Sequence, residues 1–408
     1  MLNADMPRPS VCSADISFED ALAILVAHAA PLPSETVALG NAGGRTLAEP
    51  LFAKIDSPRH DVAAMDGYAI RCADLNRGLR RFAVRGQTMA GDLDPGRLAS
   101  GEARRIMTGA PMPVEGDIVL PWEVVEDHGA TIVATARLSQ RPHVRPRGCD
   151  FERGTLLLPA GTRLGPGPLA LAAASDHGYV PVRRIPNVAI IAGGNELVAP
   201  GHAAATGHLP DSLSLAIGQL AIEHGGVVGG VSLLRDDAAQ ITRTAERDIA
   251  TSDVLVLIGG AAQGDHDFAK QGLSALGLQI AFANVAMKPG KPVWYGRVGS
   301  THILGLPGNP LAALITARLF LVPLLTALNG RDLYEALRWH RVALSAPLAA
   351  AGERESFLCA TLNTTGVRVA PSQPASGHLV LALTNALVRR EANSPAMTVG
   401  DVAHVLPF

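Results

Sequence analysis

The chain has 408 residues, 48% of them apolar and only 4% aromatic, with a formal net charge of -2. That length exceeds one compact core and predicts two to four domains. The balanced charge excludes a general nucleic-acid binder, which needs a strongly basic face.

Residues 1 to about 16 are polar and carry prolines, which predicts poor order there. Ser17 and Asp20 are placed to cap a helix over 18–30, where Ala, Leu, Ile and Val recur at helical spacing until Pro31 and Pro33. Residues 45–170 hold short β-like runs (Ala69-Ile70, Phe82–Val84, Ile118–Leu120, Thr131–Ala136) broken by Gly and Pro, the pattern of a small β-rich module. Gly161–Ala174 reads as helical and is expected to pack on the first helix, so that one domain is built from two separated pieces. From Asn187 the pattern changes. Strands Val188–Ala192, Val227–Leu234, Asp253–Ile258 and Ile303–Leu306 alternate with helices over 213–225, 237–250, 268–276 and 311–328. That alternation predicts a doubly wound, mainly parallel sheet. After Asn329-Gly330, short runs (Val342–Leu344, Ser356–Leu362, Val367–Ala370, Val402–Leu406) predict a small β-barrel or sandwich. The expected fold class is multidomain α/β.

Cys12, Cys72, Cys149 and Cys359 are far apart and show neither zinc-ligand spacing nor a disulfide framework. The N-terminus lacks a basic segment followed by an apolar one, so no signal peptide is expected. No apolar run reaches about 18 residues, so no membrane span is expected. A cytoplasmic location is the simplest expectation.

The chemistry concentrates between Ser252 and Pro310. One apolar run empties into Gly259-Gly260-Ala-Ala-Gln-Gly264-Asp265-His-Asp267, and a second into Pro307-Gly308-Asn309-Pro310. In a doubly wound sheet such turns lie at the carboxyl ends of strands, where ligands bind. Backbone N–H groups there suit a phosphate, with Asp265 and Asp267 near a cation. The alternative is a plain strand-to-helix turn capped by Asp265. Lys288 and Lys291 bracket a Pro-Gly bend, and two close ammonium groups need an anion or carboxylate between them. Asp66 stands in an otherwise apolar stretch, as a site candidate or a turn residue before Gly67. Thr108 offers a lone hydroxyl before Gly109. The basic cluster from Arg141 to Arg153 reads as an anion-binding arm or a solvated surface. There is no Ser-His-Asp order, nucleophile elbow, Walker loop or dinucleotide fingerprint.

In this order, these motifs resemble the molybdopterin molybdenumtransferases, the MoeA and gephyrin E-domain family. The matching stretches are Asp61–Ala69 (with Met-Asp-Gly-Tyr-Ala), Ile106-Met-Thr-Gly-Ala-Pro111, Pro159-Ala-Gly-Thr162, Asn195-Glu-Leu197 with Gly201, Gly259–Asp267, Lys288-Pro-Gly-Lys-Pro292 and Leu306-Pro-Gly-Asn-Pro310. The resemblance covers nearly the whole chain. It implies insertion of molybdenum from molybdate into adenylylated molybdopterin with release of AMP, using Mg²⁺ or another divalent cation. It implies catalytic roles for Asp66, Thr108, Glu196 and Asp267, and metal ligation by Glu196, Asp236, Asp237 and Asp265. Gly259, Gly260, Gly264, Asp265, Lys288, Lys291, Pro307, Gly308, Asn309 and Pro310 would bind the pterin phosphate and molybdate. It implies a homodimer in which the β-rich lobe of one subunit closes on the α/β domain of the other. The expected protein partners are the molybdopterin adenylyltransferase and recipient molybdoenzymes, with no nucleic acid and no membrane. The expected domains are a discontinuous one (16–48 with 145–182), a β-rich lobe (49–144), a molybdopterin-binding α/β domain (183–329) and a C-terminal β-barrel (330–408).

Several positions depart from the family pattern. Asn195 stands for an Asp, Leu213 for an Asn, Cys149 for a Glu, Val62 for an Asn, and Ala261-Ala262 removes a hydroxyl. Each change removes a polar group. Two readings follow: an active insertase, or an impaired relative that binds molybdopterin or partner proteins for delivery to a molybdoenzyme.

Overall fold

The computed structural model describes residues 15–135, 142–259 and 268–408. The expected poorly ordered N-terminus, part of the Arg141–Arg153 cluster and the turn 260–267 lie outside them. The chain divides into two compact units. One comprises the chain up to Glu35, Gly44–Ala48 and Val182–Phe408; the other comprises Thr36–Gly43 and Glu49–Pro181.

Helix α1 spans Phe18–His28, with Ser17 accepting at its N-cap from the Asp20 amide, as the capping pattern predicts. Its face of Phe18, Ala21, Leu22 and Leu25 is buried. Phe18 meets Phe320 and Phe357 edge to face at centroid distances of 5.5 and 4.9 Å. Burial of one such ring contributes about 1.5–3 kcal/mol.

The smaller unit holds β1 (Gly67–Ile70), β2 (Arg81–Thr88), β3 (Glu102–Ile106), β4 (Ile118–Pro121), β5 (Val125–Asp127) and β6 (Thr131–Ala134). They form one six-stranded sheet in the order β4-β1-β3-β2-β6-β5. The helix expected over Gly161–Ala174 begins later: α2 spans Pro166–Ala174. Thr162 instead donates its hydroxyl to the Pro159 carbonyl in a turn, and Pro166 opens the helix with its φ already suitable. The apolar face of α1 is committed to the core around Phe320, and α2 leans on the turn Leu39–Asn41.

In the larger unit the alternating pattern is realised. It runs β7 (Asn187–Gly193), α3 (Leu213–Glu223), β8 (Val227–Leu234), α4 (Ala238–Ile249), β9 (Val254–Ile258), α5 (Phe268–Ser274), β10 (Gln279–Ala283), β11 (Met287–Lys288), β12 (Trp294–Val298) and β13 (Thr301–Leu306). The sheet order is β8-β7-β9-β13-β12-β10. Strands β8, β7, β9 and β13 are parallel, while β12 and β10 add antiparallel edge strands. The continuous apolar runs of β9 and β13 are buried at every residue, as expected for strands covered on both faces. Helices α6 (Pro310–Thr316) and α7 (Val322–Leu328) continue one another through a wide turn at Ala317–Leu321. Among the described residues, Pro310–Leu328 is the one helix long and apolar enough to cross a membrane, and it is 94% buried in this core.

The C-terminal segment contains β14 (His340–Ala343), β15 (Glu355–Asn363), β16 (Gly366–Val369), α8 (His378–Leu383), β17 (Ala386–Arg390) and β18 (Val402–Pro407). Strands β16-β15-β17-β18-β14 lie side by side, and a bridge between Leu344 and Val367 returns β14 to β16. The sheet therefore closes as a barrel, which removes its free edges. The sequence pattern missed α8 and β17.

Candidate functional site

Ala192, Ile258 and Leu306 lie level across β7, β9 and β13, so three parallel strands end in one row. Beyond it come Gly193, Gly259 and Gly308. Gly259 has φ +82°, and a Cβ there would stand 2.6 Å from the Gly193 carbonyl oxygen. Only glycine fits that position. A Cβ on Gly308 would stand 3.5 Å from the Gly259 Cα, so these turns pack backbone to backbone.

This edge opens into a cavity of about 360 Å³. Gly193, Glu196, Ile258, Gly259, Gly308, Asn309 and Pro310 line it, with Asp211, Ser212 and Leu213 at the start of α3. Asn309 is exposed and caps α6 through its backbone, with no side-chain capping bond, and Pro310 is the first helical residue. Pro307 is buried beneath the turn and is not part of the wall. Gly260, Gly264, Asp265 and Asp267 lie outside the described residues. A larger cleft of about 430 Å³ lies on the barrel beside Leu379, Val380 and Leu383. Its walls are mostly apolar.

The remaining wall was not foreseen from sequence. Ser376 and His378 enter the cavity from the barrel, and His378 Nε2 lies 2.8 Å from Ser212 Oγ. The barrel loop is tied to α6 by the Leu311 amide, which donates to the Ala375 carbonyl at 3.2 Å. Asp211 is nearly buried, and its Oδ1 accepts from the Leu213 and Ser214 amides, which caps α3.

Four acidic positions were expected at a metal. Among the described residues no three His, Cys, Asp or Glu side chains converge. Glu196 and Asp236 do approach one dipeptide. A Cβ on Gly194 would stand 2.8 Å from Glu196 Oε2, and one on Gly193 would stand 3.9 Å from Asp236 Oδ1. Asn195 joins the two loops, its Oδ1 accepting from the Asp236 amide at 3.3 Å. Asp237 is engaged differently: its Oδ1 accepts from the Ala239 and Gln240 amides as the N-cap of α4. Two carboxylates fit a hard cation that draws its other ligands from phosphate and water, as Mg²⁺ does.

The lysine loop stands apart from the cavity wall. A Cβ on Gly290, at φ +103°, would stand 2.2 Å from Thr316 Cγ2, so the loop presses on the far end of α6. Thr316 lies six residue steps along the helix from Pro310, about 9 Å. Lys288 lies opposite Ser356 where β11 pairs with β15 of the barrel. Lys291 Nζ lies 2.7 Å from Asp15, which supplies the carboxylate that the close lysine pair called for.

Asp66 and Thr108 belong to the smaller unit. Asp66 precedes β1 and Thr108 follows β3, and these strands pair Gly67 with Ile106, which brings the two residues together. Asp66 Oδ1 accepts from the Thr108 amide at 2.7 Å and its hydroxyl at 2.8 Å. Those bonds, the amide's first, hold the Asp66 carboxyl below the usual carboxylate range. Gly67 is required by packing rather than by a turn, since a Cβ there would stand 2.0 Å from the Leu120 carbonyl oxygen.

A glycine-lined cavity at the carboxyl edge of a doubly wound sheet, in a chain that also holds a β-rich sheet and a terminal barrel, defines a multidomain α/β protein with a ligand site at its strand ends. Residues 16–175 match the family model described as MoeA N-terminal region (domain I and II). Residues 189–327 match the one described as Probable molybdopterin binding domain. The chain is similar to the molybdopterin molybdenumtransferase of a Nostoc species, 33% identical over 87% of this chain and 84% of that one. It is also similar to molybdopterin molybdenumtransferase 2 of Mycobacterium tuberculosis, 32% identical over 86% and 90% of the two chains. The crystal structure of a molybdopterin biosynthesis MoeA protein from Pyrococcus horikoshii matches with a TM-score of 0.82 and 30% identity, over 97% of this chain and 99% of that one. The chain belongs to the MoeA family of molybdopterin molybdenumtransferases, enzymes of molybdenum cofactor biosynthesis.

Proposed function

We propose that this chain is an active molybdenum insertase. It takes molybdate and adenylylated molybdopterin, forms the molybdenum cofactor and releases AMP. The observation that carries this reading is the glycine-built cavity at the ends of β7, β9 and β13, within a family match spanning most of the chain.

The backbone of Gly259, Gly308 and Asn309 binds a phosphate-bearing ligand, because no side chain blocks its approach. The motifs assign Gly260, Gly264, Asp265, Pro307 and Pro310 to the same binding function. Lys288 and Lys291, on the loop at the far end of α6, attract the oxyanion through their ammonium charge. Glu196 and Asp236 hold Mg²⁺, with Asp265 as a further ligand; Asp237 serves α4 first. When bound, that cation neutralises the adenylyl phosphate and makes it a better leaving group. Asp66, Thr108, Glu196 and Asp267 are the catalytic set, with Asp66 ionised and oriented by Thr108. The chain needs no covalent nucleophile, since the dithiolene sulfurs of the ligand bond the metal. We further propose a cytoplasmic homodimer that meets the adenylyltransferase upstream and recipient molybdoenzymes downstream.

The apolar Leu213 in the cavity wall favours the second reading, a binding and delivery protein without turnover. One assay separates the two. Purified protein receives adenylylated molybdopterin, molybdate and Mg²⁺, and AMP and active cofactor are measured. Turnover supports the insertase; ligand binding without AMP release sinks it.

A further inference from the structure

We propose that His378 is a binding residue for a phosphate group of the substrate, held in position by Ser212. This rests on the reading of the cavity as the molybdopterin site. Among the described residues that line the cavity, His378 is the one side chain able to carry positive charge. Lys288 and Lys291 sit on the loop at the other end of α6, and Lys291 is paired with Asp15. Ser212 Oγ, 2.8 Å from Nε2, orients the ring. The barrel loop that carries His378 is fastened to α6 at Ala375, so the imidazole is held against the α/β wall. An imidazole so placed donates a hydrogen bond to a phosphate oxygen, and the bond strengthens when the ring is protonated. Asp211 cannot take this role, because an ionised carboxylate only accepts hydrogen bonds, and its Oδ1 caps α3. The barrel therefore contributes directly to ligand recognition.

The test is equilibrium binding to wild type, His378→Ala, His378→Gln and Ser212→Ala, without molybdate so that no turnover occurs. Three probes are used: adenylylated molybdopterin, molybdopterin and AMP. His378→Ala should weaken adenylylated molybdopterin roughly tenfold or more. His378→Gln, which keeps a donor, should recover part of that loss, and Ser212→Ala should show a smaller weakening. A parallel loss for AMP but not molybdopterin supports contact with the adenylyl phosphate. The reverse supports contact with the pterin-side phosphate. In turnover the variant should raise KM with kcat little changed. Unchanged affinity for all three probes, in a variant that unfolds at the wild-type temperature, overturns the proposal. Failure of wild type itself to release AMP would count against the insertase reading instead.

Discussion

Asp66 Oδ1 receives both the amide and the hydroxyl of Thr108, at 2.7 and 2.8 Å, although 42 residues separate them in the chain. Both side chains are exposed, so the pair is not needed to fill a core. Asp66→Ala is expected to lower kcat at least 100-fold while the urea midpoint stays near wild type. Full activity in the purified variant would remove Asp66 from the site. Because its carboxyl is held below the ordinary range, Asp66 stays ionised from neutral pH down through mild acid. Any acid limb of the rate profile near pH 5 should therefore persist in Asp66→Asn residual activity.

Glu196 and Asp237 divide the expected acidic set by what each touches. Glu196→Gln should raise the Mg²⁺ concentration needed for half-maximal activity several-fold, with little change in stability. Asp237→Ala should instead cost about 1 kcal/mol through loss of the α4 cap, and leave the Mg²⁺ requirement unchanged. Mg²⁺ titration and urea unfolding of both variants read the two effects separately.

Gly259→Ala places a Cβ against the Gly193 carbonyl at a positive φ. The backbone must shift, at a cost of about 2 kcal/mol or more, and the cavity is distorted at its floor. Ligand binding should fall together with the thermal midpoint. An alanine variant with both properties intact would contradict the close approach.

Within the sheet, the Tyr295 hydroxyl meets His302 Nδ1 at 2.7 Å, and both residues are buried. Burial first, then the Arg297 charge, lowers the His302 pKa from 6.5 to about 4. The unfolded chain therefore binds the extra proton first, and stability present above pH 6.5 is lost as pH falls toward 4. The linkage amounts to roughly 3 kcal/mol across that window. His302→Phe should flatten this part of the pH dependence of unfolding. At pH 7 it should cost about 1–3 kcal/mol by stranding the Tyr295 hydroxyl. An unchanged pH slope would refute the assignment.

Much of the α/β architecture was legible because its signals are local. Strands β9 and β13 are buried on both faces and so read as unbroken apolar runs, and Gly259 and Gly308 mark where they end. The capping residues Ser17 and Asp237 also act over a few residues and were visible as such or as acidic candidates. Helix α8 left no such trace. It is six residues long, too short for a period to emerge, and His378 at its start is a lone histidine in a stretch that looked like β-structure. The helix starts at Pro166 rather than Gly161 because Gly161 and Thr162 are turn residues ahead of a proline start.

The amino-acid sequence by itself determined the family, the order of motifs and the strand-end glycines, since each rests on neighbouring residues or on steric needs of the backbone. The tertiary structure decided which of those motifs share a cavity. Pairing of β1 with β3 joined Asp66 to Thr108, and closure of the barrel loop onto α6 brought His378 to Ser212. The length of α6 held the lysine loop back from the cavity wall, and Asp15 took one of its charges. Such contacts depend on packing between residues far apart in the chain, and no local pattern encodes them.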